Sequence, residues 1–90
     1  MDEPADAFIV GETLPEVSNY AHLDLGWERL SATIWADDEG NEVRYVTQSN
    51  RLLNADRGAT VYLVGSYYDR DDWYEIEEII ETQKLKIKNL

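Results

Sequence analysis

The chain has 90 residues, 43% of them hydrophobic and 11% aromatic, no cysteine, and nineteen acidic against eight basic residues for a net charge of −11. That length makes residues 1–90 one domain with one core, and the apolar content excludes a fully disordered chain. The missing cysteine excludes disulfides, thiolate metal sites and thiol nucleophiles, and suits a reducing compartment. The charge disfavours nucleic acid and anionic membranes as partners and favours a basic protein, with solubility as the plainer use of the same charge.

Residues 1–6, MDEPAD, are charged and small and read as a frayed terminus. This start lacks the positive charge of a secretory or mitochondrial leader, and no apolar run approaches the ~20 residues that cross a bilayer, so a cytoplasmic protein is expected. Phe8–Val10, closed by Gly11 and Pro15, predicts a brief edge strand or extended anchor. From Ser18 to Leu25 one helical turn is expected before Gly26.

Residues 27–48 carry the clearest pattern. Leu30, Ala32, Ile34 and Ala36 alternate with Arg29, Ser31, Thr33 and Trp35 at the period of a strand, and DDEGN at 37–41 turns it into a hairpin. The register chosen places Val43 and Tyr45 inside with Ile34, and Arg44, Val46 and Gln48 outside with Arg29 and Trp35. SNRLLNADRG, 49–58, predicts a short helix ending at Gly58. Val61 and Leu63 alternate with Tyr62 and Val64 in a strand that bends at Gly65. DRDD, 69–72, is a turn, and WYEIEEIIE predicts a strand with Tyr74 and Ile76 inward, a helix over 75–83 being the alternative. KLKIKNL alternates as a final strand whose three lysines discourage edge-to-edge aggregation.

Five or six short strands with one short helix must curl to hide a single apolar face, so the expected fold is mainly β, a small antiparallel barrel or half-barrel of OB-like or SH3-like form. The order long hairpin, helical link, RGATVYLVGSYY, turn, WYEIEEI resembles the oligonucleotide/oligosaccharide-binding (OB) fold over residues 26–82. That resemblance implies a ligand face of Trp27, Arg29, Trp35 and Arg44, with Arg51 or Arg57 at its rim, for single-stranded nucleic acid, oligosaccharide or peptide. The surrounding DDE, DRDD and EIEE repel a phosphate backbone.

The inventory for catalysis is thin: one histidine, His22, with Asp24 nearby, and serines without a partner in sequence. No enzyme activity, cofactor or metal is expected. Asp37, Asp38, Glu39, Asn41 and Glu42 around Gly40 echo a calcium loop but lack its alternate spacing and terminal bidentate glutamate, and read as solvated turn carboxylates.

What remains is SYYDRDDWYEIEEI, 66–79. Strand alternation puts Trp73, Glu75 and Glu77 on one exposed face, continuing from Asp69, Asp71 and Asp72, with Glu78 beside them and Tyr67, Tyr68 and Trp73 as ring anchors. Carboxylates in such a row imitate the phosphates of a nucleic acid. In size, charge and aromatic dressing the chain resembles bacteriocin nuclease immunity proteins and phage DNA-mimic proteins that block restriction or CRISPR complexes. The resemblance implies an inhibitor that occludes the basic site of a nucleic-acid-handling protein. A subunit of a larger assembly, including a symmetric dimer through an edge strand, is the structural alternative.

Overall fold

The computed structural model describes residues 7–55 and 58–90; the frayed terminus expected at 1–6, and Arg57, lie outside them. Four consecutive apolar residues form the first strand, β1 (Ala7–Val10), and all four are buried. A strand buried on both faces belongs inside a sheet. β1 accordingly pairs in parallel with β4 (Glu42–Tyr45) on one side and β5 (Thr60–Leu63) on the other. The expected edge strand is therefore central. The full order is β2-β3-β4-β1-β5-β6, an open six-stranded mixed sheet with β2 (Glu28–Ser31) and β6 (Lys86–Asn89) at its edges.

The antiparallel barrel is corrected by what joins the strands. α2 (Trp73–Gln83) carries the chain from β5 to β6, which pair in parallel, as strands linked by a helical crossover can. Ser49–Asn54, a 3-10 turn, carries it from β4 past β1 to β5. Both faces are covered, so the sheet has no bare apolar side to curl around. On one face Phe8, Val10, Val61 and Leu63 pack with Leu52, Ile76, Ile80 and Leu85. On the other Ala7, Ile9, Trp35 and Val43 pack with Val17, Ala21, Trp27 and Val64.

The strand expected over residues 73–81 is a helix because Trp73, Ile76 and Ile80 recur at intervals of three and four. That spacing covers the core at the helical period, whereas alternation would have left Ile80 and Tyr74 on the same side. Tyr74, expected inward, is exposed. Near the amino end, Thr13 caps α1 (Leu14–Asn19) by accepting the Glu16 amide at 3.4 Å. The helical path then continues through a π turn, Tyr20–Asp24, well beyond the single turn expected.

The first arm of the expected hairpin, a single strand through Leu30, Ala32, Ile34 and Ala36, is itself a hairpin: β2 pairs antiparallel with β3 (Ile34–Ala36), Arg29 opposite Trp35. β3 then pairs with β4, Trp35 opposite Val43 and Ile34 opposite Arg44. Partners directly opposite share a face, so the register puts Trp35, not Ile34, with Val43. Trp35 is completely buried and Leu30 is exposed. The indole offers more apolar area to the core than isoleucine does, and that difference overrides the simple alternation.

α2 ends on Lys84 in a left-handed conformation, φ 56°. The Leu85 amide reaches back to the Ile80 carbonyl at 3.0 Å, and the Leu85 side chain joins Ile80 in the core, completing a Schellman-type stop. The left-handed position strains a lysine and suits glycine. Lys84→Gly is expected to stabilise the fold by about 1 kcal/mol, raising Tm by roughly 4–8 °C in a thermal melt; a lowered Tm would contradict this reading of the cap.

Candidate partner-binding surface

The carboxyl ends of the parallel strands β1 and β4 leave carbonyls without a strand partner, and one side chain gathers them. Arg70 Nη1 donates to the Val46 carbonyl at 2.6 Å and the Gly11 carbonyl at 3.3 Å, and Nη2 donates to the Thr47 carbonyl at 3.3 Å. Its remaining donors meet Asp72, Nε to Oδ1 at 2.9 Å and Nη2 to Oδ2 at 3.1 Å. The Arg70 side chain is only 6% exposed, and its guanidinium lies 5.8 Å from the centre of the Tyr45 ring. A planar cation with five donors fits this task as lysine would not.

Asp72 closes the arrangement from the other side. Its Oδ2 accepts the Ser49 amide at 3.0 Å, at the start of the 3-10 turn, while the Ser49 hydroxyl donates to Glu75 at 2.8 Å. Partial burial pushes the Asp72 carboxyl upward, but the hydrogen bonds and charge of Arg70, with the Ser49 amide, outweigh it and hold the group below its ordinary value. Tyr45 moves up, chiefly through burial, with the Arg70 charge opposing and Asp72 and Glu16 adding. Glu16 of α1 accepts the Ser66 amide at 2.7 Å. Gly65, at φ 56°, leaves no room for a side chain against that carboxylate.

Seated this way, α2 turns its outer side to solvent. At 100° per residue, Tyr74, Glu77, Glu78 and Glu81 fall within an arc of roughly 100° whose centre is about 130° from the midpoint of Ile76 and Ile80, and all four are exposed. Tyr74 is 69% exposed, and Tyr68, in the 3-10 turn Tyr67–Asp69, is 61% exposed. Asp69 and Asp71 continue the acidic surface ahead of the helix. Among the described residues, no hydrogen bond or ion pair engages the side chains of Asp69, Asp71, Glu77, Glu78 or Glu81.

The expected anionic row is thus redrawn. Asp72 is neutralised by Arg70, and Glu75 bonds to Ser49; neither is a free carboxylate. Tyr67 and Trp73 stack edge-on at 4.9 Å and lean on the core, while Tyr68 meets Tyr67 edge-on at 5.3 Å. Only Tyr68 of the three expected anchors faces outward fully. Tyr74 and Glu81 complete the face, and the helical spacing of the three apolar residues is the signal that would have found them.

The alternative ligand face does not assemble. Trp35 is core, and its Nε1 has no hydrogen-bond partner. Trp27 is buried in the same core layer, and Arg29 holds its guanidinium 5.6 Å from the Trp35 ring centre while bonding the Ser31 and Ala32 carbonyls. Arg44 points to the opposite side of the sheet, paired with Glu42 at 3.1 Å. Arg51 is exposed in the 3-10 turn, and His22 and Asp24 are exposed on the π turn. No helix among the described residues is long and apolar enough to cross a membrane.

Comparison with protein-family models, with curated proteins and with solved structures returns no match to this chain.

Because the folded state depresses the Asp72 pKa, the stability that this carboxylate supplies is present above the unfolded value near ~3.9 and is lost as pH falls through the folded one. Asp72→Asn is expected to cost about 2 kcal/mol above pH ~5, with the gap from wild type closing below pH ~4. Urea unfolding across a pH series measures it; a gap unchanged down to the most acidic point would contradict the Arg70–Asp72 account.

Proposed function

We propose that the protein is a non-enzymatic binding protein that lays the outer face of α2 into the basic site of a nucleic-acid-handling partner and occludes it. The observation that carries this reading is the set of unengaged carboxylates, Asp69, Asp71, Glu77, Glu78 and Glu81, interleaved with the exposed rings of Tyr68 and Tyr74. Carboxylates of this density attract a basic cleft and speed encounter, and rings that desolvate on contact supply the affinity.

The same residues are a poor choice for stability. Glu77 and Glu81, four apart, repel, as do Glu78 and Glu81, three apart, at about 0.2–0.5 kcal/mol per pair. The last turn of α2 contains no basic residue, so Glu81 also sits against the negative end of the helix dipole. A cationic partner relieves both penalties at once. That argument favours use of the face over mere solubility, for which the acids would serve equally well dispersed.

The test uses the full chain immobilised at low ionic strength, beside the variant Glu77→Lys/Glu78→Lys/Glu81→Lys. Wild type is expected to capture a protein that is released at about 0.5 M salt, where the Debye length shrinks to a few Å, and whose nucleic-acid binding is abolished by added wild type but not by the variant. A captured protein that binds nucleic acid undiminished, or one captured equally by the variant, would overturn the proposal.

A further inference from the structure

A cleft of about 290 Å³ opens at the amino ends of β1 and β5, on the side of the sheet that carries Trp27 and α1, away from α2. Thr60 and Tyr62 of β5 and Lys88 of β6 form its floor, Trp27 one side, and the turn Asp37–Glu39 another. The two rings stand nearly perpendicular, 72° apart with centres 5.1 Å from each other. They make an apolar corner whose π faces carry negative potential. The corner already receives a cation: the Lys88 ammonium lies 5.7 Å from the Tyr62 ring centre.

The acidic turn is tied together by its own hydrogen bonds while Asp38 and Glu39 stay exposed. Asp37 Oδ1 accepts the amides of Glu39 and Asn41, each at 2.9 Å, and Asn41 Nδ2 donates to both Asp37 and Glu39 at 3.4 Å. Asp38 has no such partner among the described residues. The negative potential of the turn reaches the floor, because the Tyr62 phenol is pushed up first by burial and then by Asp37, Glu39 and Asp38. One lysine against three carboxylates leaves the cleft net negative.

We infer that this cleft binds an alkylammonium or guanidinium group on an aliphatic stem, seated in the Trp27–Tyr62 corner and neutralised by Asp38 and Glu39, with Lys88 as the built-in cation that the ligand displaces. Lys88 is at the end of an exposed edge strand and can swing away without disturbing the sheet. The stem packs on the rings while the charged head meets the carboxylates, which is how long cationic chains divide their two natures. The site is separate from the α2 face, so its failure leaves the proposed function standing and the converse also holds.

The experiment titrates agmatine into 15N-labelled full-length protein and follows the Trp27 indole N–H with the Asn41, Thr60 and Tyr62 amides. These resonances are expected to shift together while those of the outer α2 face stay still. Lys88→Gln, which removes the competing cation, is expected to tighten binding about threefold; Asp38→Asn/Glu39→Gln, on an exposed turn, is expected to weaken it about fivefold. An acetyl-Gly-Arg-Gly-amide peptide run in parallel separates the sources: tighter peptide binding assigns the site to a protein side chain, tighter agmatine binding to a free amine, and either supports the cleft. Absence of shifts up to about 50 mM agmatine, well past the millimolar range of the weakest specific binding, in both wild type and Lys88→Gln would overturn the inference. So would butyrate moving the same resonances as agmatine.

Discussion

One guanidinium holds the carboxyl end of this sheet together. Parallel strands need crossovers, and a chain of 90 residues has few residues to spend on them. The ends of β1 and β4, with the turn before α2, converge on one small region where the Gly11, Val46 and Thr47 carbonyls meet Arg70. Arg70 answers three of those carbonyls and, through Asp72, fixes the Ser49 amide of the crossover that follows β4. Gly11 follows β1 while Val46, Thr47 and Ser49 follow β4, so the Arg70–Asp72 pair joins segments far apart in sequence. A chain without disulfides and with a small core depends more on such a joint than a larger domain would.

The joint also determines what the molecule shows. It places the start of α2 against the sheet, so Trp73, Ile76 and Ile80 face the core and Tyr74, Glu77, Glu78 and Glu81 face out. Electrostatics then divides the surface. Five acids without internal partners lie on the outer helix and the turn before it, Lys86 and Lys88 line the β6 edge, and Arg44 and Arg70 are paired with acids of the fold. The strand-edge lysines discourage pairing with another chain, while the helix face presents unengaged charge and rings together. On the proposed reading, that division separates the part of the protein that must not associate from the part that must.

Part of this was legible in the sequence. The strand alternation of Val61 and Leu63, the turn at 37–41, the helical link after Ser49 and the lysine-bearing last strand all came from local patterns that the structure repeats. The parallel topology was not, because a run such as Ala7–Val10 looks the same whether it lies at an edge or at the centre; only long-range pairing decides. WYEIEEIIE carries both a period of two through Tyr74 and Ile76 and a helical period through Trp73, Ile76 and Ile80. The second continues further and wins. In the hairpin, the turn at Ala32–Thr33 was hidden because neither residue is a turn former, and it inverted the fates of Ile34 and Trp35. At the candidate surface, Asp69, Asp71 and Glu78 were named from charge, and Glu77 from a strand alternation that the structure replaces with a helix. Arg70 read as the odd cation in an acidic turn, because nothing local tells a surface arginine from one that the fold surrounds with carbonyls.

The central claim is that Arg70 and Asp72 act as one unit joining the strand ends to α2. A double-mutant cycle in urea at neutral pH, using Arg70→Met, Asp72→Asn and the pair, measures that union directly. A coupling energy of about 1.5–3 kcal/mol is predicted, the double variant being scarcely less stable than Arg70→Met alone. Additive losses, with coupling near zero, would contradict it.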